Sequence, residues 1–375
     1  MSEPVNGATD SSWLRRLGWW WLRELRAADV GALRAAEGDP RLAQLRQALA
    51  PLVDEASGEA DAEAIDRLAA EHQRLLGFAV PPYESVFVDP STMMMAPATA
   101  RVSALYRRIG WRVPDAARAG APDHVGAELL ALAEAIDGGD DDAAAALLFD
   151  HLALWAPAFL DAVGRARPAP FYAALAEVTL HALMGLLSGG GLGPAEEAEM
   201  AADPFPTLPP APRYRGTGMA IPQEAGGPFD VGQGWVTAQE DHEDHRPDDG
   251  QDAGEGTDDA QDLRLRDLVR RLLTPREAGL WLGRADAMQL SGQLGVPTAI
   301  GNRAAMLEAM LRAAGSQDAA TAAFDGLLAR IEASDARYGS WAEQWPAWRR
   351  YADAWRGRLA GTREQVVAWR AALEG

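Results

Sequence analysis

The chain has no cysteine and no lysine. The first absence removes disulfides, thiolate nucleophiles and every cysteine-ligated zinc or iron–sulfur site. The second removes the Walker A lysine and the lysine Schiff base, because all 35 basic residues are arginine. Long apolar runs are also missing: Trp19, Trp20 and Trp21 are hemmed in by Arg15, Arg16, Arg23 and Glu24, far short of the ~20 apolar residues that a helical membrane span needs. Residues 1–12 lack the basic and apolar regions of a secretory signal, so the expectation is a soluble, cytoplasmic protein with no stable membrane insertion. Positive charge is scarce too. A net charge of −20 disfavours nucleic acid and anionic lipid as partners and favours a basic ligand. Half of that charge sits in residues 240–262, which carry eleven acidic residues against one arginine.

What is present is 375 residues with a 48% hydrophobic fraction, dominated by alanine and leucine, which favour helix. The length allows two ordinary domains. Leu14, Leu17, Trp21 and Leu25 recur at helical spacing behind Ser11 and Ser12, which can cap a helix start. Further helices are expected over 29–36, 40–49, 61–76 and 97–109, the last stopping at Gly110. Pro122 is expected to open another in its first turn, with Val125, Leu129, Leu132 and Ile136 inward. Residues 140–142 then start a helix bearing Leu147, Leu148, His151, Leu152 and Trp155, followed by one over 171–187. No stretch alternates as a strand does. The fold class is therefore all-α.

Three parts are expected: a helical domain at 11–188, an acidic, Gly/Pro-rich flexible linker at 189–262, and a second helical domain at 263–375. In the last, Thr274 reads as an N-cap with Pro275 at the first helical position and Glu277 at the third. Trp341, Trp345, Trp348, Tyr351 and Trp355 recur at helical spacing, either as a core stripe or as an aromatic groove for a partner.

Signatures of catalysis are few. His242 and His245 have a metal-compatible spacing within the acidic run, where nothing fixes ligand geometry. His124 beside Asp123, together with His151 and Glu84, could form an acid/base or metal cluster, so a metal-dependent hydrolase is one alternative. A helical interaction module is another. His181 lies on an apolar helix and reads as a core histidine. Residues 285–296 and 302–311 could form a helix-turn-helix, but their only nearby basic residues are Arg284, Arg303 and Arg312. Residues 189–193 are glycine-rich but follow no strand, which disfavours a phosphate cradle. No metal or cofactor site is assigned.

Pro81-Pro82-Tyr83-Glu84-Ser85-Val86-Phe87, then Met95-Ala96-Pro97 and a helix end from Tyr106 to Gly110, are followed by Pro122-Asp123-His124-Val125-Gly126-Ala127-Glu128-Leu129. His151-Leu152, Trp155 to Phe159, Phe171-Tyr172 and Leu175-Ala176 complete the series. In this order the motifs resemble the TorD/DmsD/NarJ family of molybdoenzyme-maturation chaperones. The resemblance implies a TorD-like helical bundle without catalytic activity. It also implies a partner, the catalytic subunit of a molybdopterin oxidoreductase or its twin-arginine leader. It places peptide binding on Tyr83, Glu84, Ser85, Pro122, Asp123 and His124. Physically, Glu84 and Asp123 could pair with arginines of a client, while Tyr83 offers an apolar wall. The competing reading has Glu84 and Asp123 capping helices and Tyr83 and His124 packing the core. The acidic run and the last ~110 residues depart from the compact family pattern.

Overall fold

In a computed structural model the described residues are 11–36, 38–50, 62–117, 119–189, 192, 203–208, 256–297, 301–316 and 320–374. Among them the regular structure is helical, with one isolated antiparallel bridge. Helix α1 (Ser11–Leu22) buries Trp13, Leu14, Leu17, Trp20, Trp21 and Leu22. It stops three residues before Leu25, which is buried from the following loop. Helices α2 (Ala27–Ala35) and α3 (Ala43–Leu49) come next, the latter entered through a 3-10 turn at Pro40–Leu42 whose Asp39 carboxylate accepts from Arg41 N. Helix α4 (Ala62–His72) widens into a π-helical segment, Gln73–Ala79.

A short helix α5 (Glu84–Val88) and then α6 (Pro97–Arg108) lead to α7 (Val125–Asp137). Pro122 does not open α7. Residues 122 and 123 form a turn and His124 is extended, with Asp123 O accepting from Glu84 N at 2.9 Å and Pro82 O accepting from Val125 N at 2.9 Å, so His124 is the N-cap. Helix α7 packs most extensively on α1, and the two backbones approach closest where Gly18 meets Gly126.

Asp140 caps α8 (Asp141–Ala145) by accepting from Ala143 N. A second π-helical segment, Ala146–Leu152, joins it to α9 (Ala153–Arg165), and α10 (Pro170–Ser188) follows. These stretches have the length and apolarity of membrane spans, but most of each is buried in the protein's own core. Pro157 sits inside α9. It has no N–H to offer Ala153 O four residues earlier, and that carbonyl is instead taken by the indole N–H of Trp348 at 2.8 Å.

The later chain forms α11 (Gly256–Leu273), α12 (Pro275–Ala278), α13 (Arg284–Leu294), α14 (Arg303–Ser316), α15 (Ala320–Gln344) and α16 (Arg349–Glu374). Thr274 occupies the N-cap position of α12, but its hydroxyl donates back to Arg270 O rather than capping. The aromatic stripe is broken by a 3-10 turn at Pro346–Trp348. Trp348, Tyr351 and Trp355 are buried, and Trp341 and Trp345 partly so, which is the core-stripe alternative. Arg303, weighed above as part of a basic face, is half-buried with its guanidinium 3.9 Å from the Trp281 ring centre, and desolvation pushes its pKa down to about 9.

Met1–Ala211 and Leu265–Gly375 form one compact unit, and Pro212–Arg264 a second, described only from Gly256 on. The segments 11–188 and 263–375, separate on the sequence reading, thus share a core. Hydrogen bonds fix the junction: Trp355 Nε1 to Leu154 O, Tyr351 OH to Phe149 O and Trp281 Nε1 to Ala79 O. Part of the expected linker belongs to it as well. Phe205 is buried edge-on to Trp355, with the Arg358 guanidinium 3.8 Å from its ring centre and Arg358 paired to Asp203. His242 and His245 lie outside the described residues.

Candidate functional site

The two motifs meet at the isolated bridge, where Tyr83 pairs with His124, 41 positions further along the chain. Each strand of the bridge starts a helix that the other, or its own side chain, caps. Asp123 Oδ2 accepts from Ser85 N at 2.8 Å in the first turn of α5, and His124 Nδ1 accepts from Gly126 N at 3.0 Å at the start of α7. Such caps satisfy amides that a helix start leaves open. The Tyr83 ring stands edge-on to the His124 ring at 5.3 Å, and its hydroxyl donates to Ala119 O. Gly120 closes the loop below with φ +70°, where a Cβ would lie 2.9 Å from the Tyr83 hydroxyl. Tyr106 of α6 ties the other side by donating to Pro122 O.

Beneath the bridge lies a buried polar cluster. Glu84 and Asp123 have no exposed surface, and Ser85, Glu128, His124 and His151 are buried beside them. His151 Nδ1 donates to Glu84 Oε2 at 2.6 Å, Arg101 of α6 reaches Glu84 Oε1 at 3.4 Å, and Trp155 Nε1 donates to Glu128 Oε2 at 3.2 Å. Asp123 Oδ1, Glu128 Oε1 and Ser85 Oγ are buried without a hydrogen-bond partner. Burial, and then the neighbouring Glu84, push the Glu128 carboxyl well above the usual carboxylate range. Asp123 is raised chiefly by burial. Burial drives His124 the other way, down to about 3, which keeps its Nδ1 lone pair for Gly126 N.

Of the six residues singled out from sequence, Tyr83 and Pro122 are half-buried, while Glu84, Ser85, Asp123 and His124 are buried. All six come together. Capping and packing are their visible local roles. Glu128, Arg101, Tyr106 and Trp155 complete the cluster and were not singled out as site residues. Glu128 lies one helical turn beyond His124, a spacing that puts both on one face of α7. Arg101 had only its place one turn before Leu105 on α6 to mark it. The hydrolase grouping of His124, Asp123 and His151 does not assemble: Asp123 caps α5, His124 caps α7 and His151 binds Glu84. Among the described residues no group of three His, Asp or Glu side chains has metal-holding geometry. His181 is exposed, not a core histidine, with Nδ1 against Glu177 O and its ring edge-on to Trp345.

A search of curated proteins returns no match to the chain. Residues 38–161 match the family model described as nitrate reductase delta subunit. That stretch runs from the turn before α3 into α9 and contains both halves of the bridge and all of the buried cluster. Over residues 38–161 this match supports the likeness of the ordered motifs to the TorD/DmsD/NarJ chaperone family.

Proposed function

We propose that this protein is a cytoplasmic chaperone for assembly and cofactor insertion of a molybdopterin oxidoreductase, and that it binds an N-terminal segment of the catalytic subunit, a twin-arginine leader or a leader-like sequence. The observation that carries this is the meeting of two distant motifs in one bridge, inside the stretch that matches the family. A chaperone of this kind needs a surface whose shape is fixed from below. Bonds between the motifs supply that, since Asp123 caps the first turn of α5 and Pro82 O accepts from Val125 N at the start of α7. In this reading Tyr83 and Pro122 face the client directly, and Glu84, Ser85, Asp123 and His124 form the floor. An acidic host suits a basic, apolar segment, because complementary charge speeds encounter and selects partners.

Titration calorimetry of the full chain against leader peptides from molybdoenzyme subunits encoded nearby tests the proposal. Binding tighter than ~100 µM, a weak threshold on the affinity scale, is the expected result. Binding only to a subunit that lacks any leader would shift the contact to the mature protein. Binding to neither would overturn the proposal.

A further inference from the structure

Three buried carboxyls, Glu84, Asp123 and Glu128, face one another beneath the bridge; Glu128 Oε1 and Asp123 Oδ1 have no partner in good hydrogen-bonding geometry, although the Ser85 side chain acts on the Asp123 carboxyl. A buried acceptor without a donor costs about 1–3 kcal/mol, so the cluster is organised for donors that the chain supplies incompletely. His151 and Trp155 serve one oxygen each. Among the described residues the only guanidinium bonded to any of the three belongs to Arg101, which also acts electrostatically on Glu128.

Arg101 holds its place weakly. Its contact with Glu84 is 3.4 Å and its bond to Asp150 O is 3.3 Å, against the ~2.7–2.9 Å of good charge-assisted bonds. Its side chain keeps 30% of its exposure, while Glu84 has none. Among the described residues of the cluster Arg101 is thus the one whose side chain reaches solvent, and its departure breaks only those two long contacts.

We propose that the Glu84–Asp123–Glu128 cluster is a guanidinium-accepting site that Arg101 occupies from within the chain, and that an arginine of the client displaces Arg101 to bind there. The inference rests on the proposed function and adds a ligand group and an internal competitor to it. Five donors in a planar fork let an incoming guanidinium reach Glu84 and an unpartnered oxygen together, which a lysine ammonium does less well. An occupant that must first be displaced weakens apparent affinity in proportion to its own occupancy.

Binding carries a proton signature. The groups facing the cluster are Glu84 from α5, Arg101 and Tyr106 from α6, Asp123 and His124 at the start of α7, Glu128 within it, and His151 from the second π-helical segment. Asp123 and Glu128 hold protons more tightly than ordinary carboxyls. The incoming guanidinium replaces Arg101 but also bonds an oxygen of Asp123 or Glu128 that Arg101 does not bond, which favours the ionised form of that carboxyl, so protons are released and affinity rises with pH.

The test is calorimetry of the full chain with a leader-like peptide bearing an arginine pair and with its lysine twin, at pH 6 and pH 8, each in two buffers of different ionisation enthalpy. The expected results are preference for the arginine peptide, proton release on binding, and tightening by roughly threefold or more in Arg101→Met, the scale of a partly exposed ion pair. Arg101→Lys should tighten less. A folded Arg101→Met that binds no tighter than wild type overturns the inference and leaves the leader-binding reading intact. Should Arg101→Met fail to fold, the wild type decides: equal affinity for the two peptides without proton release overturns it. If the wild type binds neither peptide, the leader reading falls, and N-acetylargininamide decides the site. Its binding to Arg101→Met supports a guanidinium site, and no binding overturns it.

Discussion

At the scale of single residues, the bridge works because its side chains are held in unusual protonation states. His124 can cap α7 only while Nδ1 is unprotonated, and burial lowers its pKa from its ordinary 6.5 to about 3. The unfolded chain therefore binds a proton below about pH 6.5 that the folded chain refuses. Stability from this group is complete above that value and is lost as pH falls toward 3. At pH 5 the loss approaches about 2 kcal/mol, from ~1.4 kcal/mol per pH unit. His72, also lowered chiefly by burial, adds to it in the same direction, whereas Asp123 and Glu128, raised by burial, act oppositely and lose stability as pH rises through their folded values. His124→Asn keeps an N-cap acceptor without the titrating ring. Denaturant unfolding at pH 7 and pH 5 should show wild type losing roughly 2 kcal/mol more than the variant across that interval. Parallel losses in the two proteins would show that His124 does not control acid stability.

At the scale of elements, the close approach of α1 and α7 makes Gly126 a packing residue rather than a loop residue. A Cβ there would lie 2.4 Å from Gly18 O and 2.7 Å from Leu22 Cγ, and one on Gly18 would lie 2.8 Å from Gly126 O. Backbone cannot rotate away as a side chain can. Gly126→Ala should lower stability by about 1–3 kcal/mol, the usual effect of overpacking. Gly185→Ala, on the exposed face of α10 with nothing within 4 Å of the added carbon, should instead be neutral or stabilising by up to about 1 kcal/mol. Thermal melts of the two variants check the contrast, and equal shifts would refute the close crossing. Helices such as α6 and α10 are legible in the sequence because apolar spacing and a proline at the first position mark them directly. The π-helical segments, Gln73–Ala79 and Ala146–Leu152, are not legible, because one extra residue per turn leaves no local signature. The start of α7 is misread for a related reason: Pro122 satisfies the local rule, while the backbone on either side of the helix start is bonded to Pro82 and Glu84, far away in sequence. The six site residues are legible as two motifs, but their burial is not, since spacing names a face and never says what covers it.

At the scale of the whole molecule, the last helices complete the core that the family-matched stretch begins. Pro157 leaves Ala153 O without its helical donor, and Trp348 supplies one from nearly two hundred residues away. Phe87, within the first motif, packs against Trp155, Phe159 and Trp281, so its ring is shared between early and late chain. Ions reinforce the junction. Buried Asp161 of α9 meets Arg165, Ser334 and Arg337, while Asp286 of α13 meets Arg165 and Arg330. Breaking one member of such a buried set strands its partner, at about 3–5 kcal/mol. A sequence reading that divides the chain by composition misses this, because an acidic, glycine-rich stretch between two helical segments looks the same whether the segments dock or not. The distinction can be tested by placing a site-specific protease sequence between residues 230 and 240 and cutting the purified full chain. Shared packing predicts that the two pieces co-elute in gel filtration and melt as one transition. Trp348→Phe would keep the ring but remove the donor to Ala153 O, and should lower that shared transition by the ~1–3 kcal/mol of an unsatisfied buried carbonyl. Pieces that separate without denaturant, each with its own melt, would restore the picture of two independent domains.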